Sequence, residues 1–184
     1  MSEFLVPDER TLQLREKWRF RGQVRPGFAI DPSGDQESVW DYPRPPALCH
    51  DKRRISIQTG GQVLAETECA IRVLETASPP TFYIRQDDVR VSALEESGDT
   101  SICEWKGVAS DLILVGTKNS VAWTYSRVFE EYAAIEGWYS FYPGRVDCFV
   151  DDERVRAQPG HYYGGWVTDE IVGPFKGGAE YVGY

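Results

Sequence analysis

The chain is poor in the residues that build metal centres and disulfide frameworks. It has two histidines, His50 and His161, and four cysteines, Cys49, Cys69, Cys103 and Cys148, spaced 20, 34 and 45 residues apart with no C-x-x-C pair. Structural zinc needs four N or S ligands, usually from closely spaced pairs, and Cys49 beside His50 falls short of that, so no metal is expected. Long apolar runs are missing too. No segment approaches the ~18 continuous apolar residues of a spanning helix or the ~7–15 of a signal-peptide core. Charges interrupt every apolar stretch between Met1 and Arg25. The expectation is a cytoplasmic protein with no membrane partner, its thiols reduced and mostly buried. Positive charge is scarce as well: 20 Lys+Arg face 29 Asp+Glu, for a net charge of −9 and a pI near 4.8. Such a field opposes the phosphate contacts that dominate nucleic-acid affinity, so no nucleic-acid partner is expected. The local exception is Arg15, Lys17, Arg19, Arg21 and Arg25 around Trp18 and Phe20. It reads as a solvated arm packing its aromatic residues on its own domain, in preference to a base-stacking strip.

Several catalytic signatures are absent. There is no G-x-x-x-x-G-K-[ST] phosphate loop, no G-x-G-x-x-G after a strand and no G-x-S-x-G nucleophile elbow. The acid clusters Asp87-Asp88 and Asp151-Asp152-Glu153 sit in hydrophilic, turn-like contexts and read as solvated faces. His161, in Q-P-G-H-Y-Y-G-G, reads as a surface-loop residue.

What is present describes one domain. At 184 residues and 41% hydrophobic content the chain is long enough to bury a core without metal or disulfide. We expect an N-terminal arm over 1–36, a β domain over 37–177 with its core in 55–150, and a tail over 178–184. Residues 8–20 allow a short helix. Between Gly22 and Pro46 the density of Pro and Gly predicts an extended surface run anchored by Trp40 and Tyr42. From residue 53 the pattern is of short strands. R-I-S-I-Q-T-G-G-Q-V alternates, turns at Gly60-Gly61 and resumes, as a hairpin does. Further strands are predicted at Ala70–Glu75, Thr81–Arg85, Val89–Leu94, Ser101–Glu104, Ala109–Val115, Ser120–Tyr125, Ser140–Pro143 and Val146–Val150. A short amphipathic helix is predicted over Arg127–Gly137, stopped by its glycine. The fold class is therefore mainly β, of compact antiparallel sheets with one short helix near 127–137. Trp40-Asp41-Tyr42-Pro43-Arg44 and Trp123-Thr124-Tyr125-Ser126-Arg127 share W-x-Y-x-R, the seed of an internal pseudo-repeat.

Five separated segments are distinctive: V-W-D-Y-P-R-P-P-A-L (39–48), R-V-L-E-T-A-S-P-P-T-F-Y-I-R-Q-D-D-V-R (72–90), C-E-W-K-G-V-A-S (103–110), A-W-T-Y (122–125) and A-I-E-G-W-Y-S-F-Y-P-G-R-V-D (134–147). In order and spacing the chain resembles the domain-of-unknown-function family 427, and the likeness extends through H-Y-Y-G-G-W-V-T-D-E-I-V-G-P-F-K-G (161–177). The resemblance implies a Mss4-like or β-tent fold with no assigned activity. A nucleotidyltransferase label sometimes attached to the family finds little support here, because the Gly-Ser turn with a D-x-[DE] pair is missing. The chain departs from the family pattern at Ser126, and at Asp111, where an aromatic residue is usual.

If these motifs converge between the sheets, Glu75, Tyr83, Arg90, Cys103, Trp105, Lys106, Trp123, Tyr125, Tyr142, Arg145 and Asp147 supply charges and aromatic walls to one ligand pocket. Lys106, between Trp105 and Gly107, is expected either to pair with Glu75 or Glu104, or to be a desolvated amine of lowered pKa that binds an anion or acts as a nucleophile. Arg145 and Asp147 alternate across Val146, suiting a pair or a carboxylate fork. Cys103 is a nucleophile only if Lys106 activates it, and otherwise an inert thiol. The expected function is binding of a small anionic or aromatic ligand. The alternatives are an enzyme using the same pocket and a protein-interaction domain using the proline-rich stretch. Cofactor, reaction and self-association as a homo-oligomer are left open by the sequence.

Overall fold

The computed structural model describes residues 4–160 and 162–179; His161 and the end of the tail lie outside the described residues. The arm begins with α1 (Glu9–Glu16), capped by Asp8, whose carboxylate accepts the Thr11 N–H at 2.7 Å. No α1 side chain is buried, so an arginine docks it in place of an apolar stripe. Arg15 donates to the Glu104 carbonyl at 2.7 Å and lies over the rings of Trp105 and Phe129.

Along the chain follow β1 (Glu37–Ser38), β2 (Ala47–Asp51), β3 (Ile55–Thr59), β4 (Gln62–Thr67), β5 (Ala70–Glu75), β6 (Ser78–Tyr83), β7 (Leu94–Cys103), β8 (Gly107–Leu114) and β9 (Ser120–Val128). The rest are β10 (Tyr139–Phe141), β11 (Asp147–Val150), β12 (Glu153–Arg154), β13 (Arg156–Ala157), β14 (Trp166–Val167) and β15 (Ile171–Val172). Three antiparallel sheets carry the fold, in the orders β10-β9-β8-β7, β12-β11-β3-β4 and β2-β5-β6. A bridge between Ile84 and Tyr139 joins the end of β6 to β10. Two short pairs, parallel β1-β15 and antiparallel β13-β14, tie the C-terminal segment to the domain.

Strand alternation divides the interior in two. In β6 and just beyond it, Phe82 and Ile84 join a cluster with Ile55, Ile57, Leu64, Phe141 and Trp166, whereas Tyr83 between them joins Val73, Trp105, Trp123, Tyr125 and Tyr132. In β9, Ala122 and Trp123 part the same way. The first cluster is mostly aliphatic and closes the core. The second is rich in Tyr and Trp, whose polar tips need partners, and a cavity opens on that side.

The mainly β reading and the Gly60-Gly61 hairpin stand, and Ala70–Glu75 is a strand end to end. Four details differ. Residues 89–94 form a 3-10 turn at Val91–Ala93, because i+3 bonds (the Ala93 N–H to the Arg90 carbonyl, the Leu94 N–H to the Val91 carbonyl) coil the chain up to the start of β7. The segment around 127–137 is a 3-10 helix, Glu130–Ile135, kinked at Tyr132; Arg127 and Val128 belong to β9, paired with Val108 and Gly107. The proline-rich run lies at the surface over 22–37 and is anchored by buried Trp40 and Tyr42 as expected, but Val39 and Arg44 are buried beside them, and Trp40 donates its indole N–H to the Pro174 carbonyl. The two W-x-Y-x-R copies adopt different conformations, one in turns and the other inside β9, so the pseudo-repeat is not a repeat of structure. Of the thiols only Cys148 is buried; Cys69 sits exposed in the β4–β5 turn.

Candidate functional site

β5, β6, β8 and β9 present their aromatic-side residues to a cavity of about 470 Å³. The ends of the chain complete its wall: Trp18 from the arm, and Gln158, Tyr162, Tyr163, Gly164, Gly165 and Lys176 from the C-terminal segment. Eight of the eleven residues expected there line it, namely Glu75, Tyr83, Cys103, Lys106, Trp123, Tyr125, Tyr142 and Arg145. The other three lie elsewhere. Arg90 faces β4, its backbone N–H on the Leu64 carbonyl and its guanidinium on Gln62. Asp147, on β11, pairs with Arg154 and not with Arg145, because the two residues leave the Pro143 turn into different surroundings. Trp105 is buried in the turn between β7 and β8, under Arg15.

The inner end of the cavity is built on one carboxylate. Glu75 closes β5, and its two oxygens accept from Lys106 Nζ at 3.2 Å and Arg44 Nη2 at 3.1 Å. All three side chains are removed from bulk water, Arg44 most completely, with its guanidinium 3.7 Å over the Trp18 ring and also donating to the Thr76 carbonyl. Burial by itself pushes the Glu75 carboxyl up, but Lys106, Arg44 and Lys176 outweigh it and hold it at about 2. Burial likewise opposes the charge of Lys106, and the neighbouring Cys103 sulfur and Glu75 carboxylate more than offset it, so its pKa lies well above the ordinary lysine value. This reverses the expectation of a lowered pKa: of the two readings made for Lys106, pairing with Glu75 is the one the geometry realises. Around Glu75 itself two cations share one anion; Glu104 also lines the cavity, its carboxylate accepting from the Trp18 indole N–H at 2.8 Å.

Aromatic groups line the walls and the rim. The Trp123 indole N–H donates to the Tyr83 hydroxyl at 3.1 Å, and the Trp123 and Tyr142 rings lie 4.5 Å apart. Tyr142 donates to Asp111, the residue standing where the family usually has an aromatic, so that position contributes an acceptor to the rim. Arg145 spreads over the Tyr142 ring at 4.0 Å and donates to the Ser120 carbonyl. Burial keeps the Tyr83, Tyr125 and Tyr142 hydroxyls protonated far above neutral pH. Gly164 packs flat on Trp123: a methyl there would overlap the edge of the indole and lie 3.2 Å from Tyr142. Gly164→Ala is therefore expected to displace the indole and narrow the cavity, costing roughly 1–3 kcal/mol. Near-ultraviolet circular dichroism and tryptophan emission would report it as a changed Trp123 environment with the fold retained.

Trp18, Asp111, Tyr163, Gly164 and Lys176 are pocket residues that the sequence reading did not place there. The signal available for the C-terminal ones was the juxtaposition Tyr-Tyr-Gly-Gly, aromatics followed by two residues that let a backbone approach a ring. No group of three or more His, Cys, Asp or Glu residues suited to a metal ion occurs among the described residues, and no described helix is long and apolar enough to cross a membrane.

No curated protein matches the chain. A family model described as a domain of unknown function, DUF427, matches residues 47–152, which carry β2 through β11 and most of the cavity's inner end. With more than half its length matched, the chain belongs to the domain-of-unknown-function family 427.

Proposed function

We propose that this domain binds a small anionic aromatic compound in the cavity between β5–β6 and β8–β9. The observation that carries the reading is the charge imbalance at the inner end: Lys106 and Arg44 share the single carboxylate of Glu75 beneath walls made by Tyr83, Trp123 and Tyr125. A carboxylate or phosphate entering there meets a positive field in a site partly screened from water, where each charge acts more strongly than at the surface. Its ring would be covered by aromatic faces, the usual composition of a small-molecule site. Arg145, exposed at the rim, suits guiding an anion inward.

The test is thermal melting of the purified protein against aromatic carboxylates, aryl phosphates, nucleotides and sugar phosphates. A ligand at 100 times its dissociation constant adds about 2.7 kcal/mol, or roughly 5–10 °C for a chain of this size. The expected result is a shift with aromatic anions and none with their neutral amides. Equal shifts for anion and amide would remove the electrostatic argument, and no shift across the panel would favour the protein-interaction reading.

A further inference from the structure

The sequence contains five lysines, Lys17, Lys52, Lys106, Lys118 and Lys176. Lys17, Lys52 and Lys118 are exposed to solvent. Lys106 is tied to Glu75. Lys176 differs from all of these. Its backbone N–H is held by the Ala77 carbonyl at 2.7 Å and its own carbonyl by the Gln158 amide at 2.8 Å, which fixes the stem of the side chain in the cavity wall. Its Nζ lies 4.4 Å from the Trp18 ring centre and 4.7 Å from that of Tyr163, and no described carboxylate comes within ion-pair distance of it. Burial lowers its pKa, and Arg44 works in the same direction; Glu75, already shared by Arg44 and Lys106, recovers only part of the loss, together with Glu104 and Cys103.

We propose that Lys176 is a carbonyl-capturing residue, at which the cavity takes up aromatic aldehydes as imines. The inference rests on the pocket reading above, to which it adds a substrate class and a reacting atom. An amine held between two ring faces has its approach limited to the open cavity, where an aromatic aldehyde stacked on the walls presents its carbonyl carbon. The Nζ lone pair forms the C–N bond, and an amine proton passes to the oxygen to give the carbinolamine. Loss of that hydroxyl with the second amine proton releases one water and leaves the C=N bond, with no change of oxidation state. The phenols of Tyr83 and Tyr125, which stay protonated, furnish the cavity with O–H groups for the proton transfers. An acid group elsewhere on the ring would face the Lys106–Arg44 end.

The experiment uses the full chain with 4-formylbenzoate and sodium cyanoborohydride, which reduces the imine to a stable secondary amine, followed by peptide mapping. The expected result is an adduct at Lys176 at least about tenfold above that at Lys17, Lys52 or Lys118. 4-Methylbenzoate, which has the same acid and ring but no carbonyl, should protect Lys176 and leave the surface lysines unaffected. Lys176→Met should lose the adduct at that position while Lys17, Lys52 and Lys118 label as in the wild type. Labelling of Lys176 no greater than that of the surface lysines overturns carbonyl capture. If 4-methylbenzoate still raises the melting temperature in that case, the pocket reading survives alone; if it does not, both fall. The wild-type map decides the matter even if the variant does not fold.

Discussion

Glu75→Gln is expected to lower the stability of the domain at pH 7 by about 3–5 kcal/mol, a fall in melting temperature on the order of 10 °C. The amide fills the same space but cannot neutralise the two cations that the carboxylate bridges at 3.1 and 3.2 Å. Arg44 is 4% exposed and Lys106 8%, so neither can reach water without breaking the packing around Trp18 and Cys103. The pH dependence gives an independent check. The folded carboxyl titrates near 2 against an ordinary 4.5. A depressed acid contributes its full stabilisation above the unfolded pKa and loses it as pH falls through the folded one. The gap is worth about 3 kcal/mol. The melting curves of wild type and Glu75→Gln should thus differ most above about pH 5 and converge between roughly 4.5 and 2, because a protonated Glu75 resembles the amide. A difference that stays constant down to pH 2 would show that Glu75 acts through packing and not through charge.

That bridge also shows how much of the site the sequence discloses. Glu75 and Lys106 are 31 residues apart, yet Glu75 ends β5 and Lys106 immediately precedes β8, strands whose alternation is readable, so their meeting was one of two pairings open on paper. Arg44 was hidden, because the prolines around it predict a surface run and nothing local reveals that its guanidinium is covered by Trp18 from the arm. Without the Cys103 sulfur and the Glu75 carboxylate placed around it, Lys106 looks like a lone desolvated amine, and its pKa is assigned the wrong direction. The amine that does lose stabilisation, Lys176, sits 70 residues further on, in a segment whose strands are two residues long and leave no periodicity to read. Strands announce themselves through their neighbours in sequence. A cavity closed by both ends of the chain does not.

The predicted helix over Arg127–Gly137 illustrates the same limit from the other side. Phe129, Tyr132 and Ile135 are spaced by three, which fits an amphipathic α-helix and equally a 3-10 helix whose i and i+3 side chains eclipse. Tertiary pairing decides between them: β9 keeps its ladder with β8 as far as Val128, and the remaining residues have room only for the tighter coil, with Tyr132 anchored on the Pro46 carbonyl at 3.0 Å.

Gly107→Ala should be the most damaging small substitution in the chain. Gly107 starts β8 at φ +129°, pairing with Cys103 across the hairpin and with Val128 on β9. A methyl group there would overlap the Arg127 carbonyl oxygen and stand 2.8 Å from the Val128 Cα, and both obstacles are backbone, held by the β8–β9 ladder. The backbone conformation costs about 1–3 kcal/mol for a residue with a side chain, and forcing two strands apart adds a similar amount, so a loss of about 4 kcal/mol is expected. Gly116→Ala separates these terms. Gly116 has φ +79° but nothing within 4 Å of the added methyl, so it should lose only the conformational part, about 1 kcal/mol. Urea denaturation of the two variants tests this directly, with unchanged slopes showing that the transitions remain comparable. If Gly107→Ala is no worse than Gly116→Ala, the close approach of β8 and β9 at this point is wrong, and so is the position of the Cys103–Lys106 turn that hangs from it. If the large loss is found, the glycine in the W-K-G motif has a physical reason. It lets β8 begin hard against β9, which brings Lys106 far enough inward to meet Glu75.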